Sequence, residues 1–146
     1  MHSSKKNWVW TIALIITVIV CAFVLTLHIK NWVDDDVNSL SLRSGFYNVE
    51  IPLNELDSVV LVERIPPMQR LHGFSAFDKE KGVFREFKDS LTDKKVRVFF
   101  DNINQNKVKL VYKDSVYVYF NLKDSVETVQ LFQKLSARIS SLSTPN

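Results

Sequence analysis

The residue types that most often carry chemistry are sparse in this chain of 146 residues. Its single cysteine, Cys21, lies inside an apolar run, and His72 is the one histidine that follows that run. A serine or cysteine nucleophile needs a base within hydrogen-bond reach, zinc needs clustered His or Cys ligands, and a nucleotide site needs a glycine-rich turn before a helix. The sequence therefore predicts no catalytic residues, no metal ligands and no cofactor, and the protein is predicted not to be an enzyme.

Basic side chains in the middle of the chain are the candidates for binding an anion. Arg64, Arg70, His72 and Arg85 would form a small anion site if folding brought them together; the alternative is a set of separate, solvated surface side chains. Phosphoinositide pockets use several Lys and Arg in the first hairpin turn. That turn has only Arg43 here, so phosphoinositide binding is not predicted.

Three tyrosines near the end of the predicted strands are candidates for a protein-binding surface. Tyr117 and Tyr119 lie on one side of a strand because successive side chains alternate, and Tyr112 precedes them in the neighbouring strand. An exposed aromatic patch of this kind would suit a protein partner. The alternative is that the rings cover a second buried face.

The balance of charges argues against a nucleic-acid partner. The formal net charge is +3, but Lys5 and Lys6 precede the apolar run, and the remainder holds 17 basic and 16 acidic side chains. Nucleic-acid binding needs basic residues gathered on one face, whereas residues 79–81 and 93–95 alternate or mix the two signs. No nucleic-acid partner is predicted.

The apolar run at residues 8–29 predicts a transmembrane helix. It holds 22 residues with no Lys, Arg, Asp or Glu, and a helix of that length spans a hydrocarbon core of about 30 Å. Trp8 and Trp10 at one end and Trp32 beyond the other are predicted to lie at the two membrane interfaces. A cleaved signal peptide, or lipidation at Cys21, is the alternative.

The flanking charges favour an N-terminus in the cytoplasm and a domain outside it, because Lys5 and Lys6 precede the helix. The chain is thus predicted to be a single-pass protein of the cell membrane. Its predicted divisions are a tail (1–7), the transmembrane helix (8–29), an acidic juxtamembrane linker (30–36), one domain (37–141) and a C-terminal tail (142–146).

Residues 37–141 predict a mainly β domain with one C-terminal helix. Period-two alternation predicts a hairpin over 37–51, an apolar run predicts a central strand at 59–62, and a meander follows at 96–100, 108–112 and 116–122. Prolines and glycines at 64–82 predict the longest irregular segment. Asp124 is predicted to cap a helix whose apolar positions recur at helical spacing: Val129, Phe132, Leu135 and Ile139.

Several short motifs in the domain resemble the bacterial pleckstrin-homology-like (bacterial PH) domains of membrane-anchored proteins. The resemblance covers roughly residues 37–141, and the position of His72 departs from the family pattern, which usually has Asn there. It implies a small PH-like barrel or sandwich capped by one helix, and a recognition surface without a defined ligand. The matching segments are 51–53, 56–59, 64–66, 70–74, 82–85, 120–124 and 127–128.

These features predict a membrane-anchored, non-catalytic recognition or scaffolding module that binds an unidentified protein partner at a bacterial membrane. Anchoring raises the effective concentration of the domain toward other membrane proteins. The alternatives are sensing of a lipid surface or a phosphate group by the PH-like domain, and a membrane-anchored enzyme with an unrecognised site.

Overall fold

The computed structural model describes residues 3–88 and 90–142, and for residues 3–6, 28, 88 and 90–93 it describes the backbone only. Within that part the chain forms two helices, nine strands and one 3-10 turn. In chain order they are α1 (Ser3–Ile29), β1 (Asn31–Asp35), β2 (Ser39–Ser44), β3 (Tyr47–Pro52), the 3-10 turn (Leu53–Glu55), β4 (Leu56–Val62), β5 (Met68–Ala76), β6 (Lys79–Lys88), β7 (Ser90–Phe100), β8 (Lys107–Tyr112), β9 (Val116–Phe120) and α2 (Ser125–Leu142).

The strands form two sheets. The small sheet has the order β1-β2-β3, and the large sheet has the order β4-β8-β9-β7-β6-β5. Among the described strands, β7 and β9 form the one parallel pair. The predicted mainly β domain with a C-terminal helix is therefore confirmed, but the two sheets stay separate and no closed barrel forms in the described part of the chain.

The first hydrophobic core lies between the two sheets. Alternation places Leu40 and Leu42 of β2 and Val49 and Ile51 of β3 on the inner face of the small sheet, all nearly without solvent exposure. Helix α2 adds Leu135, which is fully buried. The large sheet supplies the other half of this core: Leu56, Phe99, Val108, Leu110, Tyr112, Val118 and Phe120.

A second core covers the opposite face of the large sheet. Phe84 of β6 and three buried residues of β7 pack there with Tyr119. The connection from β4 to β5 lies over this cluster, because Ile65 of the connection and Met68, the first residue of β5, pack against it. The amide of Phe87 donates to the carbonyl of Pro67 (2.9 Å), which attaches the end of this connection to β6.

The large sheet differs from the predicted meander in two ways. Strand β9 inserts between β7 and β8, so the strands predicted to be neighbours at 96–100 and 108–112 do not pair. Strand β4, predicted to be central and buried on both faces, is the edge strand, and Val60 is 45% exposed. An apolar run indicates that a strand is buried, but not where the strand lies in the sheet. The run in β4 is apolar throughout because the two faces of this edge strand contact different cores.

The predicted irregular segment at 64–82 is wrong, since most of it belongs to the β5–β6 hairpin. Gly73 and Gly82 face each other across these strands, with φ of +149° and +152°. A Cβ on Gly82 would lie 2.3 Å from the carbonyl oxygen of His72. The glycines therefore allow a close approach of two strands. In the sequence, glycines with this role look the same as glycines that mark a loop.

The acidic segment predicted as a linker contains β1, which pairs with β2 from Asn31 to Asp35. Asp35 is nearly buried, and it receives Lys134 Nζ and Arg138 Nη1 of α2, each at 2.5 Å. These ion pairs hold α2 against β1. The carboxylate is therefore part of the domain, although its neighbours along the chain face solvent.

A buried polar cluster ties the start of β1 to the large sheet. The amide of Asn31 donates to Asp101 Oδ2 (2.8 Å), and Ser44 Oγ donates to Asn31 Oδ1 (2.5 Å). Asn31 Nδ2 donates to the carbonyl oxygens of Phe99 (2.7 Å) and Asn121 (2.8 Å). All four side-chain polar groups of this cluster are buried, so their hydrogen bonds replace those with water.

Lys81 and Asp101 form a buried ion pair beside this cluster. Lys81 Nζ lies 2.9 Å from Asp101 Oδ1, and neither side chain is exposed. Burial lowers the pKa of the Lys81 ammonium, and the hydrogen bond and charge of Asp101 oppose that lowering. The carboxylate thus joins β6, β7 and the start of β1 at one point.

Helix α1 is long and apolar enough to cross a membrane. The apolar stretch runs from Asn7 to Leu27, 21 residues, and none of its side chains is buried within the structure. The helix begins at Ser3, inside the predicted N-terminal tail. Residues 1, 2 and 143–146, which belong to the predicted tails, lie outside the described residues.

The start of α2 matches its prediction. The amide of Val126 donates to Asp124 Oδ1 (2.7 Å), so Asp124 caps the first helical turn. Phe132, Leu135 and Ile139, three of the four positions in the predicted apolar stripe, pack against the first core. The fourth, Val129, is half-buried.

Candidate binding surface

The residues predicted as an anion site do not all lie together. Register places His72 opposite Val83 and Gln69 opposite Arg85, so His72 and Arg85 share one face of the large sheet. Arg70 pairs with Phe84 and therefore lies on the other face. A bulge between Arg70 and His72 separates the two sets. Arg64 is exposed in the connection between β4 and β5, on the side of the second core.

The three tyrosines pack in both cores. Tyr112 is 7% exposed in the first core, and Tyr119 is 3% exposed in the second. Tyr117 packs beside the second core, and Lys94 Nζ and Lys109 Nζ lie 3.5 Å and 4.8 Å from its ring centre. The rings thus cover two buried faces and do not form an exposed aromatic patch.

The structure brings together a different set of basic residues, here called the basic surface: His72, Arg85, Lys95 and Arg97. Val83 pairs with Arg97 and Arg85 with Lys95, so these side chains share the face of His72. A cavity of about 680 Å³ lies elsewhere on the domain, but the one at the basic surface, about 640 Å³, has no acidic residue in its lining. That lining is His72, Val83, Lys94, Lys95, Arg97, Ser115 and Val116.

His72 is held against the small sheet. Its Nδ1 lies 3.5 Å from the hydroxyl of Tyr47, and the two rings are stacked, with centroids 6.3 Å apart and planes 13° apart. The Tyr47 ring also contacts Phe99 of the first core. His72 therefore has a fixed place at the border of the basic surface, while Lys95 extends into solvent.

Distance along β7 separates the basic surface from α1. Phe99 of β7 accepts a hydrogen bond from Asn31, which lies two residues after the end of α1. Arg97 and Lys95 lie two and four residues earlier in the strand, about 7 and 13 Å at 3.3 Å per residue. The basic surface consequently lies toward the end of the domain that is far from α1.

Lys95 and Arg97 were missing from the sequence-based candidates. Alternation of apolar and charged residues in β7 could have identified them, because Val96 and Val98 are fully buried and the two cations occupy the alternate positions. What the sequence lacked was the strand order, which places β7 beside β6 and thereby brings these cations next to Arg85.

Other buried titratable groups serve the fold. Lys107 Nζ donates to the carbonyl oxygen of Glu63 (2.8 Å), and burial lowers its pKa. Burial, followed by the charges of Glu86 and Tyr117, raises the pKa of Tyr119 to about 12. Among the described residues, no group of three or more His, Cys, Asp or Glu is placed to hold a metal ion.

The membrane-interface candidates lie on the surface. Trp8 and Trp10 of α1 are 67% and 69% exposed, and Trp32 of β1 is 62% exposed. Lys30 Nζ lies 5.5 Å from the centre of the Trp32 ring.

Comparison with protein-family models, with curated proteins and with solved structures finds no match for this chain. Function is therefore inferred from the geometry of the domain.

Proposed function

We propose that this protein is a membrane-anchored, non-catalytic recognition module whose basic surface binds an acidic segment of a protein partner. The observation that carries the proposal is the cavity beside Lys95 and Arg97, which has basic and apolar lining and lies away from α1. Arginine and lysine on a concave surface bind carboxylates through charge-assisted hydrogen bonds, and arginine does so with two parallel bonds.

Anchoring by α1 is supported by how its polar side chains are satisfied. Thr11 and Thr17 donate their hydroxyl protons to the carbonyl oxygens of Asn7 and Ala13, both at 2.9 Å. Thr26 donates to the carbonyl of Phe23 (2.7 Å). Hydroxyls bonded within the helix need no water, as a helix in hydrocarbon requires.

A protein partner is favoured over the lipid surface next to α1. Surface charges act on a membrane within about a Debye length, 8 Å at physiological salt. Along β7, Arg97 and Lys95 lie about 7 and 13 Å from the residue that contacts the start of β1, so Lys95 lies beyond that length and Arg97 lies near its limit. The basic surface therefore points to a partner that approaches from the side of the domain.

Membership of the bacterial PH-like family is part of this proposal. A mainly β domain closed by one C-terminal helix supports it, as do the motifs at 64–66 and 70–74. Within the described chain the open edges β4 and β5 of the large sheet differ from a closed barrel. The proposed recognition function depends on the basic surface and not on the family.

The test uses the full chain in phospholipid nanodiscs and a fluorescent Glu-rich peptide as the probe. We expect saturable binding that weakens as salt is added, because exposed charges are screened. Lys95→Glu with Arg97→Gln should abolish it. The matched control is Lys123→Glu with Arg43→Gln, which makes the same charge change at exposed residues outside the basic surface.

Equal loss of binding in both double variants would mean that net charge, not the basic surface, attracts the peptide, and would overturn the proposal. A second arm offers vesicles with and without a phosphoinositide. Selective, saturable binding to the phosphoinositide that depends on Lys95 would replace the protein partner by a lipid headgroup. Crosslinking in intact cells, with the same pair of variants, then identifies the partner.

A further inference from the structure

We infer that the domain is not held off the membrane but lies on it, with the turn residues Phe46 and Phe77 inserted into the interfacial region of the bilayer that α1 spans. This inference rests on the anchoring part of the proposed function and adds a second membrane contact, made by turns of the β domain.

The turns that carry these rings lie at the end of the domain where α1 joins it. Asn31 pairs with Ser44, and the next two residues, Gly45 and Phe46, form the β2–β3 turn. Leu27 of α1 and Gly45 line the same cavity. The β2–β3 turn is therefore beside the last turn of α1, at the depth where the helix leaves the apolar region.

The β5–β6 turn lies at the same end. Glu80, just after that turn, pairs with Phe100, and the carbonyl of Asp78 accepts a hydrogen bond from the amide of Ile103 (2.8 Å). Phe99, the neighbour of Phe100, contacts Asn31. Two strands of the large sheet thus bring Phe77 and Ile103 to the level of the α1 exit.

Exposure at this end is unusual for large apolar side chains. Phe77 is fully exposed, at 101%, and Phe46 and Trp32 are 73% and 62% exposed. Ile103 adds a fourth apolar side chain, 41% exposed. Single exposed apolar residues are common on soluble domains, but a group of them beside a membrane-spanning helix suits the interface, where aromatic rings are enriched.

The backbone at Phe77 gives an independent reason. Its φ is +55°, and it is the first of two residues in a tight hairpin turn, a position that favours glycine. The equivalent position of the β2–β3 turn is Gly45, with φ of +60°. A phenylalanine at this backbone position costs free energy whether the ring lies in water or in the interface. A ring that leaves water for the interface gains free energy that offsets this cost.

Charges at this end predict a contact that is apolar and not electrostatic. Lys79 lies 3.7 Å from Asp78, next to Phe77, so that turn carries both signs. Arg43 and Asp34 lie in neighbouring strands beside the cavity that Leu27 lines. The contact should therefore form on a zwitterionic bilayer and resist added salt. It would also hold the basic surface at a constant orientation above the membrane.

The experiment places the full chain in phosphatidylcholine vesicles, in a Cys21→Ala background. An environment-sensitive fluorophore is attached at Phe77→Cys, and in a matched control at Val37→Cys, an apolar residue that is 78% exposed in the turn at the opposite end. We expect blue-shifted emission at position 77 and a severalfold lower quenching constant with aqueous iodide than at position 37. Added salt should not change either value.

Equal quenching at the two positions would overturn the inference. Ile103→Cys is a second label at the same end and keeps the test decisive if Phe77→Cys does not fold. Alkaline carbonate extraction separates the two proposals. Release into the supernatant overturns the anchoring and this inference together, whereas retention with equal quenching overturns only the contact of the turns.

Discussion

Replacing Lys81 by methionine tests the buried ion pair directly. Methionine has a similar length and no charge, so Lys81→Met removes the cationic partner of Asp101 from a site in which neither side chain is exposed to solvent. One donor remains, because the amide of Asn31 still bonds Asp101 Oδ2 at 2.8 Å. Removing one partner of a buried pair costs about 3 to 5 kcal/mol. A small domain has a total stability of about 5 to 15 kcal/mol, so a large part of it should be lost.

The converse change, Asp101→Asn, should cost less and should respond to pH. Burial already lowers the pKa of Lys81, and Asp101 is what opposes this. Without the carboxylate the pKa falls further, and the lysine can lose its proton instead of staying charged. Between the lowered pKa and the ordinary value of 10.5 the unfolded state binds more protons than the folded state. Stability of Asp101→Asn should therefore rise with pH in that range, and the rise should begin at a lower pH than in the natural protein.

The assay is urea unfolding of the full chain in detergent micelles, followed by the β signal in far-ultraviolet circular dichroism. Lys113→Met is the matched control, since Lys113 forms an exposed pair with Glu55 at 3.3 Å and should lose at most about 1 kcal/mol. A loss for Lys81→Met no larger than that of Lys113→Met would refute a dry ion pair. A flat pH profile for Asp101→Asn would refute the reasoning about its partner.

Three further changes test other parts of the fold. Gly82→Ala should destabilise the β5–β6 hairpin strongly, since the new Cβ would meet the His72 carbonyl oxygen at 2.3 Å; a thermal midpoint equal to that of the natural protein would contradict the close approach. Leu135→Ala should cost about 2 to 5 kcal/mol in urea unfolding, and exposed Gln133→Ala should be near neutral. Tyr119, with a pKa of about 12 when folded and 10.0 as the ordinary value, favours the folded state less as pH rises from about 10 to 12. The natural protein should lose at most about 3 kcal/mol of unfolding free energy over that range, and Tyr119→Phe should not show this loss. The variant should also lack the tyrosinate absorbance step at the highest pH.

The hairpin of the small sheet and the start of α2 could be predicted because both depend on residues that are close together in the sequence. Alternation in residues 37–51 reflects one buried face, and Asp124 caps α2 through a contact two residues away, so both were recognisable from neighbours alone. The β5–β6 hairpin was missed because Gly73 and Gly82 have two meanings in a sequence. They can end a strand or allow two strands to approach, and only the pairing of the strands separates these cases.

The basic surface depends on contacts that sequence spacing does not express. Lys95 and His72 lie on strands separated by β6, and the bulge after Arg70 moves that arginine to the other face. A shift of one residue in a strand reverses the face of every side chain beyond it. Asn31 was likewise assigned to a linker, because its buried hydrogen bonds are made to residues about seventy and ninety positions away.

Lys30 is the single residue between α1 and β1, and this makes the joint mechanically stiff. A pull or a twist applied to α1 passes through Lys30 to Asn31, whose hydrogen bonds to Asp101, Phe99 and Asn121 bear the load side by side. With a long flexible linker in place of Lys30, the same motion of α1 would be absorbed by the linker and would not reach the domain. Here, a rotation of α1 would therefore turn the whole domain with it.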